Sequence, residues 1–524
     1  MIKTLSLYYR TLKHLKPIQI RYRLWYILRS RWRMLSGFSY SQSVEKRGRL
    51  LSFEPFVNRP ESYRYGEFTF LNVSHSFTDS IDWNYLGNGK LWAYNLNYFD
   101  YLHQSSMTKQ EGLKLINDFI DQSDKNREGM EPYPISLRGI NWIKFLIKHE
   151  ITDKRIDAAL YAQYLTLFDN LEYHLLGNHL LENGFSLLIG GIYFDDQKLL
   201  KKGEVIVTRQ LEEQTLDDGG HFERSPMYHA ILLERLLDCL NLSHQNLQDG
   251  LPHNKFLQTK SREMLGWLRK MTFENGNWPM VNDSAWGIAT STREIHEYAE
   301  RLGIEPEEVE LSQSGYRQFK ENELEICMDV GDIGPDYIPG HAHSDTLSFV
   351  LHYKGTPIIV DPGVSTYEAN ERRILERSTE MHNTVMLEGR EQSEVWSAFR
   401  VGKRAYAEIL EESDYFIKAT HSGYKELGAN HIRSWILDDK TLTITDEING
   451  KDVRSIAYLH FHPDLSVTKQ GTNVLKAGDI KIRFDGAETI GLKPYKYAQG
   501  FNQHKEAVKA QISFSGKLNS TINL

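Results

Sequence analysis

A histidine-rich stretch in the second half of the chain has the residue types and spacing of a metal site. His341 and His343 lie two positions apart, and Asp361 and His382 follow them. Residues 347–360 carry β-branched and aromatic side chains around a Lys-Gly turn, which predicts a hairpin that brings His343 and Asp361 to the same end. Two imidazoles and one carboxylate form a divalent-metal ligand set, and the nitrogen ligands favour zinc. The alternative is chance, since the chain has 20 histidines and Asp-Pro-Gly is an ordinary turn sequence.

A tyrosine at the predicted start of a helix is the second group with chemical potential. Ser225 is a typical N-cap and Pro226 a typical first helical residue, so Tyr228 falls in the first turn. The positive helix end and the neighbouring Arg224 both favour a phenolate, which makes Tyr228 a candidate general base. Arg224 is also a candidate substrate-binding residue. The alternative is a tyrosine that anchors the helix start by packing.

Three further segments carry polar side chains that can line a cleft. Asn178, His179 and Glu182 share one side of a predicted helix by their spacing. Such a trio either forms a satisfied buried network or has a chemical task. Arg138 precedes another helix and can hold a carboxylate by a two-pronged contact, unless it is an ordinary surface arginine. The loop 282–284 can line the same cleft.

The elements that must position these residues fall into two halves. From about residue 107 to 305, apolar residues recur at three- and four-residue steps, which predicts an all-α domain of helical hairpins. After residue 315, short apolar runs alternate with turn signals, which predicts an antiparallel sandwich. A chain of 524 residues exceeds one hydrophobic core. We therefore predict three parts, namely a basic, aromatic helical segment, a helical domain and a β domain over residues 1–60, 61–312 and 313–524.

Composition narrows the classes of function. The net charge of −8 argues against a general nucleic-acid-binding protein, although a cleft inside an acidic protein can be locally basic. The two cysteines, Cys239 and Cys327, imply no disulfide framework. No oligomeric state follows from these patterns.

The first 35 residues interleave basic, aromatic and aliphatic side chains, and no acidic residue occurs before Glu45. This is not the uninterrupted apolar run of a signal peptide, so a cytoplasmic or membrane-peripheral location is favoured over a periplasmic one. A basic amphipathic helix suits peripheral contact of residues 1–35 with an anionic membrane. Packing of the same helix against the main domain is the equal alternative.

Taken together, the three motifs resemble the heparinase II/III family of polysaccharide lyases. The resemblance rests on residues 177–184, 220–229 and 340–345 with the later Asp361 and His382, and it covers roughly residues 90–470. It implies a multidomain α + β fold in which an incomplete (α/α) toroid is followed by an antiparallel β-sandwich. The basic, aromatic opening is similar to that of bacterial family members found with polysaccharide-assembly functions.

The activity that this resemblance implies is β-elimination at a uronic acid, which leaves a 4,5-unsaturated uronate end. The carboxylate of the uronic acid must be neutralised to stabilise an enolate-like intermediate. By the resemblance, Asn178 and His179 do this with help from Arg138. Tyr228 is base, acid or both, and His341 is a second catalytic group.

The resemblance also implies supporting roles. Tyr367 is a further tyrosine in the cleft, and Glu182 stands behind His179 as its orienting partner. His343, Asp361 and His382 hold a structural zinc ion that orders the loop carrying His341. The implied partner is an acidic polysaccharide, and heparan sulfate, alginate, hyaluronan and a capsular uronan all remain candidates.

Two rival functions use the same fold. A hydrolase would work with paired carboxylates, for which Asp217 and Asp218 near Glu223 are candidates. A non-catalytic glycan-binding or polysaccharide-assembly protein would bind without turnover. A lyase differs from both because its product absorbs ultraviolet light.

Overall fold

The computed structural model describes residues 2–248, 250–251 and 253–523. The first residue of the predicted N-terminal segment, Met1, and the last residue of the predicted β domain, Leu524, lie outside the described residues. Two helices open the chain and a succession of helices follows. Their bounds are α1 Ile2–Leu12, α2 Pro17–Ser36, α3 Lys90–Tyr98, α4 Lys109–Asp121, α5 Pro132–Lys148, α6 Lys154–Asp169, α7 Gly177–Tyr193, α8 Gln197–Gln214, α9 Pro226–Asn246, α10 Asn254–Met271, α11 Thr292–Arg301 and, within the β half, α12 Glu371–Glu376.

The helical half has an inner and an outer layer, as in a toroid. Helices α3, α5, α7 and α9 pack on one another in sequence, and α6, α8 and α10 pack outside them. The inner helices α5, α7 and α9 are buried along almost their whole length because apolar residues surround the helix axis. A small three-stranded sheet precedes them in the chain.

The β half contains a large and a small antiparallel sheet. The strands of the whole chain are β1 Tyr63–Arg64, β2 Glu67–Phe70, β3 Val73–Ser76, β4 Tyr316–Glu321, β5 Leu324–Asp329, β6 Phe349–Tyr353, β7 Thr356–Ile359, β8 Val385–Leu387, β9 Val395–Trp396, β10 Arg400–Val401, β11 Ala407–Ser413, β12 Phe416–His421, β13 Ala429–Asp438, β14 Thr441–Gly450, β15 Ser455–His460, β16 Val467–Lys469, β17 Val474–Ala477, β18 Ile480–Gly500 and β19 Gln503–Asn523. Strands β4–β7 form one sheet, and β11–β19 with β8 form the ten-stranded sheet.

One hydrophobic core joins the two sheets. Ile326 and Leu351 of the small sheet share it with Trp435, Ile444 and Ile512 of the large sheet. This is the face-to-face packing of a sandwich. The predicted order of a helical toroid followed by an antiparallel β-sandwich is therefore confirmed.

The predicted hairpin between the metal-type residues is also confirmed. It consists of β6 and β7, which pair antiparallel around a turn at Lys354 and Gly355. Both turn residues have positive φ, which glycine adopts without strain. The hairpin places residues 343–345 and Asp361 at the same edge.

Helices α1 and α2 lie across both halves. Arg10 of α1 binds Glu394 beside β9, and the ring of Tyr8 packs edge-on against Trp396 at 5.3 Å. Gln19 of α2 donates to the carbonyl of Leu175 in the helical half at 3.0 Å. Over the residues that the structure describes, every helix falls short of the length or the apolar content that crossing a membrane would demand.

Candidate active site

Tyr228 lies in the first turn of α9 and faces the sandwich. The predicted N-cap is confirmed, because Ser225 Oγ accepts from the N–H of Tyr228 at 3.4 Å. The half-buried phenol ring lies 4.0 Å from the ring of His341, centroid to centroid, and its hydroxyl donates to that of Tyr367 at 3.3 Å. Three of the predicted site residues, from both halves of the molecule, thus meet at the interface between the halves, where all three are partly exposed, and we call this place the groove.

The protonation of Tyr228 differs from the prediction. Burial, followed by the neighbouring Tyr367 and Asp283, raises the pKa of Tyr228 well above its usual value, so the group rests as a neutral phenol. Arg224 does not offset this effect. Its backbone has φ 57°, and its guanidinium donates to the carbonyl of Asp332. Arg224 therefore binds the sandwich backbone and does not line the groove as predicted.

The carboxylate of Asp283 connects the groove to the metal-type histidines. Its Oδ2 accepts from His341 Nδ1 at 2.8 Å and its Oδ1 from His343 Nε2 at 2.9 Å. Arg373 of α12 donates to both oxygens, at 2.5 and 2.6 Å. Burial alone would raise the pKa of Asp283, but Arg373 and the histidines hold it well below its usual range. Because a carboxylate can only accept here, Nδ1 of His341 is the donor, and the other ring nitrogen, Nε2, lies 3.5 Å from Glu223 Oε2.

Asn178 and Glu223 form the opposite wall of the groove. The side-chain amide of Asn178 donates to both oxygens of Glu223, at 3.1 and 3.0 Å. Gly177, with φ 58°, starts α7 beside this pair, and a β-carbon at Gly177 would lie 2.8 Å from Glu223. The close approach that fixes the amide therefore requires glycine. Glu223 bridges the helical half to His341, a role that the sequence did not indicate.

His179 reaches the groove and has a different partner from the predicted one. Its Nδ1 bonds Glu172 Oε1 at 3.0 Å, and its ring packs 4.6 Å from that of Tyr133. Burial opposes the charged form, but Glu172, together with Glu223 and Glu182, raises the pKa of His179. Glu182 does not contact this ring. It is fully buried, and its nearest ionic partner is Arg235 at 3.7 Å, which corrects the predicted orienting role.

Arg138 lies inside the helical half and not at the groove. Its side chain is completely buried, and it donates to Gln163 Oε1 at 2.7 Å and to the carbonyl of Asn97 at 3.1 Å. Its guanidinium also lies over the ring of Phe119. Because the side chain is completely buried among these partners, the predicted contact with a substrate carboxylate is not available.

Two of the three predicted metal ligands, His343 and His382, lie close together, and Asp345 takes the place of the third, Asp361. His343 and His382 lie together with Asp345, and one potential ligand atom of each is within 4.8 Å of the others. Asp361 instead accepts from His382 Nδ1 at 2.8 Å, so it orients that imidazole from behind. The possible triad of the structure is therefore His343, Asp345 and His382.

The surroundings of this triad fit a cation. All three residues are buried. Within the described part of the chain, His343 Nδ1 and His382 Nε2 have no hydrogen-bond partner, so both nitrogens are free to bind an ion. Burial raises the pKa of Asp345, and the Asp361 carboxylate adds to this despite His382. A cation would satisfy both nitrogens and relieve the buried negative charge.

The carboxylates suggested for a hydrolase are not paired. Asp218 accepts from the backbone N–H groups of Ser312 and Ser314 at 2.8 and 2.9 Å, so it holds the segment that leads into the sandwich. Asp217 is exposed. Neither side chain contacts Glu223, which accepts from Asn178 and lies 3.5 Å from His341 Nε2 instead.

Two family models match most of the chain between them. The model described as Heparinase II/III-like, C-terminal, matches residues 304–524, and the one described as Heparinase II/III N-terminus matches residues 140–311. A heparin-sulfate lyase of Bacteroides stercoris is 24% identical over 383 residues, which are 66% of this chain and 56% of that protein. A heparin-sulfate lyase of Pedobacter heparinus is 25% identical over 321 residues, or 55% and 46% of the two chains. The chain thus spans about half the length of these curated relatives.

Solved structures show the same fold at lower identity. A crystal structure of heparinase III has a TM-score of 0.64 at 15% identity and covers 85% of this chain and 80% of its own. The heparan sulfate lyase of Pedobacter heparinus has a TM-score of 0.54 at 16% identity, with coverage of 87% and 81%. These similarities place the toroid and the sandwich in the same arrangement.

Proposed function

The chain belongs to the heparinase II/III-like family, and on that basis we propose that it is a polysaccharide lyase that cleaves a uronic-acid glycan by β-elimination. The observation that carries the proposal is the contact between a neutral phenol and an imidazole. The rings of Tyr228 and His341 are 4.0 Å apart in a groove between the two halves of the molecule. Such a pair can exchange protons with a bound sugar.

The first requirement of the reaction is charge neutralisation at the uronate. The proton α to a carboxylate is very weakly acidic, so positive charge must balance the developing enolate. We assign this charge to His179, because Glu172 raises its pKa despite burial and its partly exposed ring follows Asn178 on α7. Asn178 is assigned a hydrogen bond to the same carboxylate. That bond must be exchanged from Glu223, to which the amide donates in the resting site.

The second requirement is the transfer of one proton in each direction. His341 Nε2, which holds the lone pair in the tautomer set by Asp283, takes the C5 proton of the uronate. The electron pair of the C–H bond forms the C4=C5 double bond, and the C4–O bond breaks. Tyr228 gives its phenolic proton to the leaving oxygen, in keeping with its raised pKa. Transfer from His341 back to Tyr228 restores both groups, and Tyr367 holds the phenol in place.

The proposed substrate is an acidic polysaccharide, with a heparan-type glycosaminoglycan as the first candidate. This choice rests on the heparin-sulfate lyases that match the chain at 24% and 25% identity. Chondroitin sulfate, hyaluronan and alginate are the comparison substrates, because each also contains a uronic acid.

The test is a panel of these uronans, followed by ultraviolet absorbance for unsaturated ends. We expect absorbance with at least one of them, and a loss of about 10³-fold in kcat for Tyr228→Phe and His341→Ala with retained binding. Tyr406→Phe is the matched control, since Tyr406 is an exposed tyrosine away from the groove. Binding without turnover would identify an assembly protein, and reducing ends without absorbance would identify a hydrolase.

For the metal triad we propose a structural zinc ion held by His343, Asp345 and His382. Two imidazoles and a carboxylate suit zinc. The assignment is also supported by His343 Nδ1 and His382 Nε2, which have no hydrogen-bond partner among the described residues. When bound, the ion would cross-link the loop before β6 to the segment before β8. Metal analysis of purified protein should find about one zinc per chain. His343→Ala should lose the ion and lower Tm, and another metal or none would reject the assignment.

A further inference from the structure

Helix α2 turns its polar residues toward the protein, which is the reverse of an ordinary surface helix. Arg29 and Arg33 both bind Asp169, and Tyr26 donates to the carbonyl of Leu171. Tyr22 stacks on Tyr173 with ring centroids 4.7 Å apart. The inward stripe recurs at three- and four-residue steps and consists of Gln19, Tyr22, Tyr26, Arg29 and Arg33.

The outward surface of the same segment is apolar. Trp32 is 65% exposed and Leu35 83% exposed, values expected for charged side chains. Most of the exposed large hydrophobic residues of the described chain lie between residues 5 and 38, a stretch that includes α1 and α2. They are Leu5, Tyr8, Tyr9, Leu12, Ile18, Ile20, Leu24, Trp25, Ile27, Leu28, Trp32, Met34, Leu35 and Phe38. An apolar surface of this extent marks an interaction site.

The charges on this surface have one sign. Lys13, Arg21 and Arg31 are exposed, and no acidic residue occurs before Glu45. Among the ion pairs of the described residues, none involves these three cations, whereas Arg10 and Lys16 bind Glu394 and Glu213 of the body. The cations therefore remain available to an anionic surface.

Beside α2 the apolar surface continues into a second cavity of 570 Å³, which is lined by other residues than the groove of Tyr228. Trp25, Leu28 and Trp32 line one wall, and Phe168 and Leu171 of the helical half line the other. Both tryptophans therefore have apolar surface on the outer side and on the cavity side.

We propose that α1 and α2 bind the surface of an anionic lipid membrane and lie along it. Tryptophan and tyrosine suit the headgroup region, aliphatic side chains the acyl boundary, and unpaired cations the lipid phosphates. A second copy of the chain fits less well, because it would bring Arg21 and Arg31 against their own equivalents. The inference concerns a surface distinct from the groove of Tyr228, so it stands or falls separately from the lyase proposal.

The experiment uses the full chain and vesicles of phosphatidylcholine with or without phosphatidylglycerol. We expect co-sedimentation with the anionic vesicles, weaker binding at high salt, and a blue shift of tryptophan fluorescence. Leu24→Glu with Leu28→Glu should weaken binding at least tenfold, because two leucines that the lipid would bury are lost. Arg21→Gln with Arg31→Gln should weaken it about fivefold per cation and reduce the salt dependence.

Leu410→Glu with Ile436→Glu is the matched control, because these residues are exposed apolar side chains on the sandwich. The control should bind vesicles like the unmodified chain, and all variants should keep its Tm. Absence of binding to anionic vesicles, or equal binding to both vesicle types, would overturn the proposal. So would a concentration-dependent dimer that the two leucine substitutions abolish, which would assign the surface to a second copy.

Discussion

The molecule contains two buried ionic clusters, and they are built differently. The interface cluster consists of Asp283, Arg373, His341 and His343. Each carboxylate oxygen of Asp283 accepts one bond from Arg373 and one from a histidine, all between 2.5 and 2.9 Å. This geometry leaves the carboxylate and both rings a single arrangement.

The toroid cluster lies among the inner helices and consists of Glu182, Glu234, Arg235, Asp238 and Lys144. Lys144 bonds Asp238 at 2.8 Å, but Arg235 approaches its acidic neighbours only at 3.5 to 4.0 Å. Both oxygens of Glu182 lack a hydrogen-bond partner in the described part of the chain. Burial raises the pKa of Glu182 to about 7, although Arg235 opposes the shift.

The difference shows that buried charge serves two purposes here. In the interface cluster, short bonds orient a ring that faces the groove, so substitutions should affect turnover first. In the toroid cluster, contacts that range from 2.8 to 4.0 Å balance charge inside a helical core, so substitutions should affect stability first.

The largest effect is expected from Asp283→Asn. The amide cannot accept from both histidines and pair with Arg373, so the tautomer and orientation of His341 are lost. We expect kcat/KM on a cleaved uronan to fall about 10³-fold, together with metal content. Asp217→Asn, at an exposed position, is the control. Retention of more than a tenth of the activity would show that the interface cluster does not orient His341.

Lys144→Met should have the largest effect on stability. It leaves Asp238 buried with its hydrogen bond from Tyr298 and a distant Arg235. We expect a loss of about 3 kcal/mol in the free energy of unfolding, measured by denaturant titration. Adding Asp238→Asn should recover most of this loss. If the double variant is as unstable as the single one, the lost packing of Lys144 and not its charge is responsible.

Glu182→Gln should stabilise the protein in a pH-dependent way. The pKa of Glu182 is about 7 in the folded chain against an ordinary value of 4.5. The stability that the protonated form gives is complete below pH 4.5 and is lost as the pH rises through 7. The variant should match the unmodified chain at pH 4.5 and exceed it by about 3 kcal/mol at pH 8. Glu297→Gln, on the surface, is the control and should show no such trend. If Glu182→Gln destabilises the protein equally at both pH values, the carboxylate of Glu182 is ionised and paired.

The smallest effect is expected from Glu172→Gln, which alters a carboxylate–imidazole pair at the partly exposed His179. Loss of the negative charge lowers the pKa of His179, so the protonated imidazole is lost at a lower pH. The alkaline limb of the kcat/KM profile should move by about one unit toward acid. Glu212→Gln is the surface control. An unmoved limb would show that His179 does not carry the charge that binds the uronate.

The parts of this site that were predictable are those encoded locally. The hairpin β6–β7 followed from β-branched and aromatic residues around a Lys-Gly turn, and the start of α9 followed from Ser225 and Pro226. Both depend on residues within a few positions of each other. The resemblance added the roles of Tyr228 and His341, which the structure brings together.

The parts that were missed depend on distant partners. The loop 282–284 was predicted to line the cleft, but the role of Asp283 within it was not, because its partner Arg373 lies in the other half of the chain. Glu172 and not Glu182 bonds His179, because the turn before α7 folds back on the helix. Arg138 was misplaced because a buried arginine satisfied by Gln163 and a backbone carbonyl has no sequence signature.

The contact of α1 with β9 has a consequence for any attempt to shorten the chain. Tyr8 and Arg10 hold the hairpin of β9 and β10, and Phe399 of its turn packs edge-on against His341 at 5.9 Å. A protein that begins after Tyr40 would lose the outer support of that turn. Trimming for easier expression would therefore disturb the imidazole of His341 from more than 300 residues away in sequence.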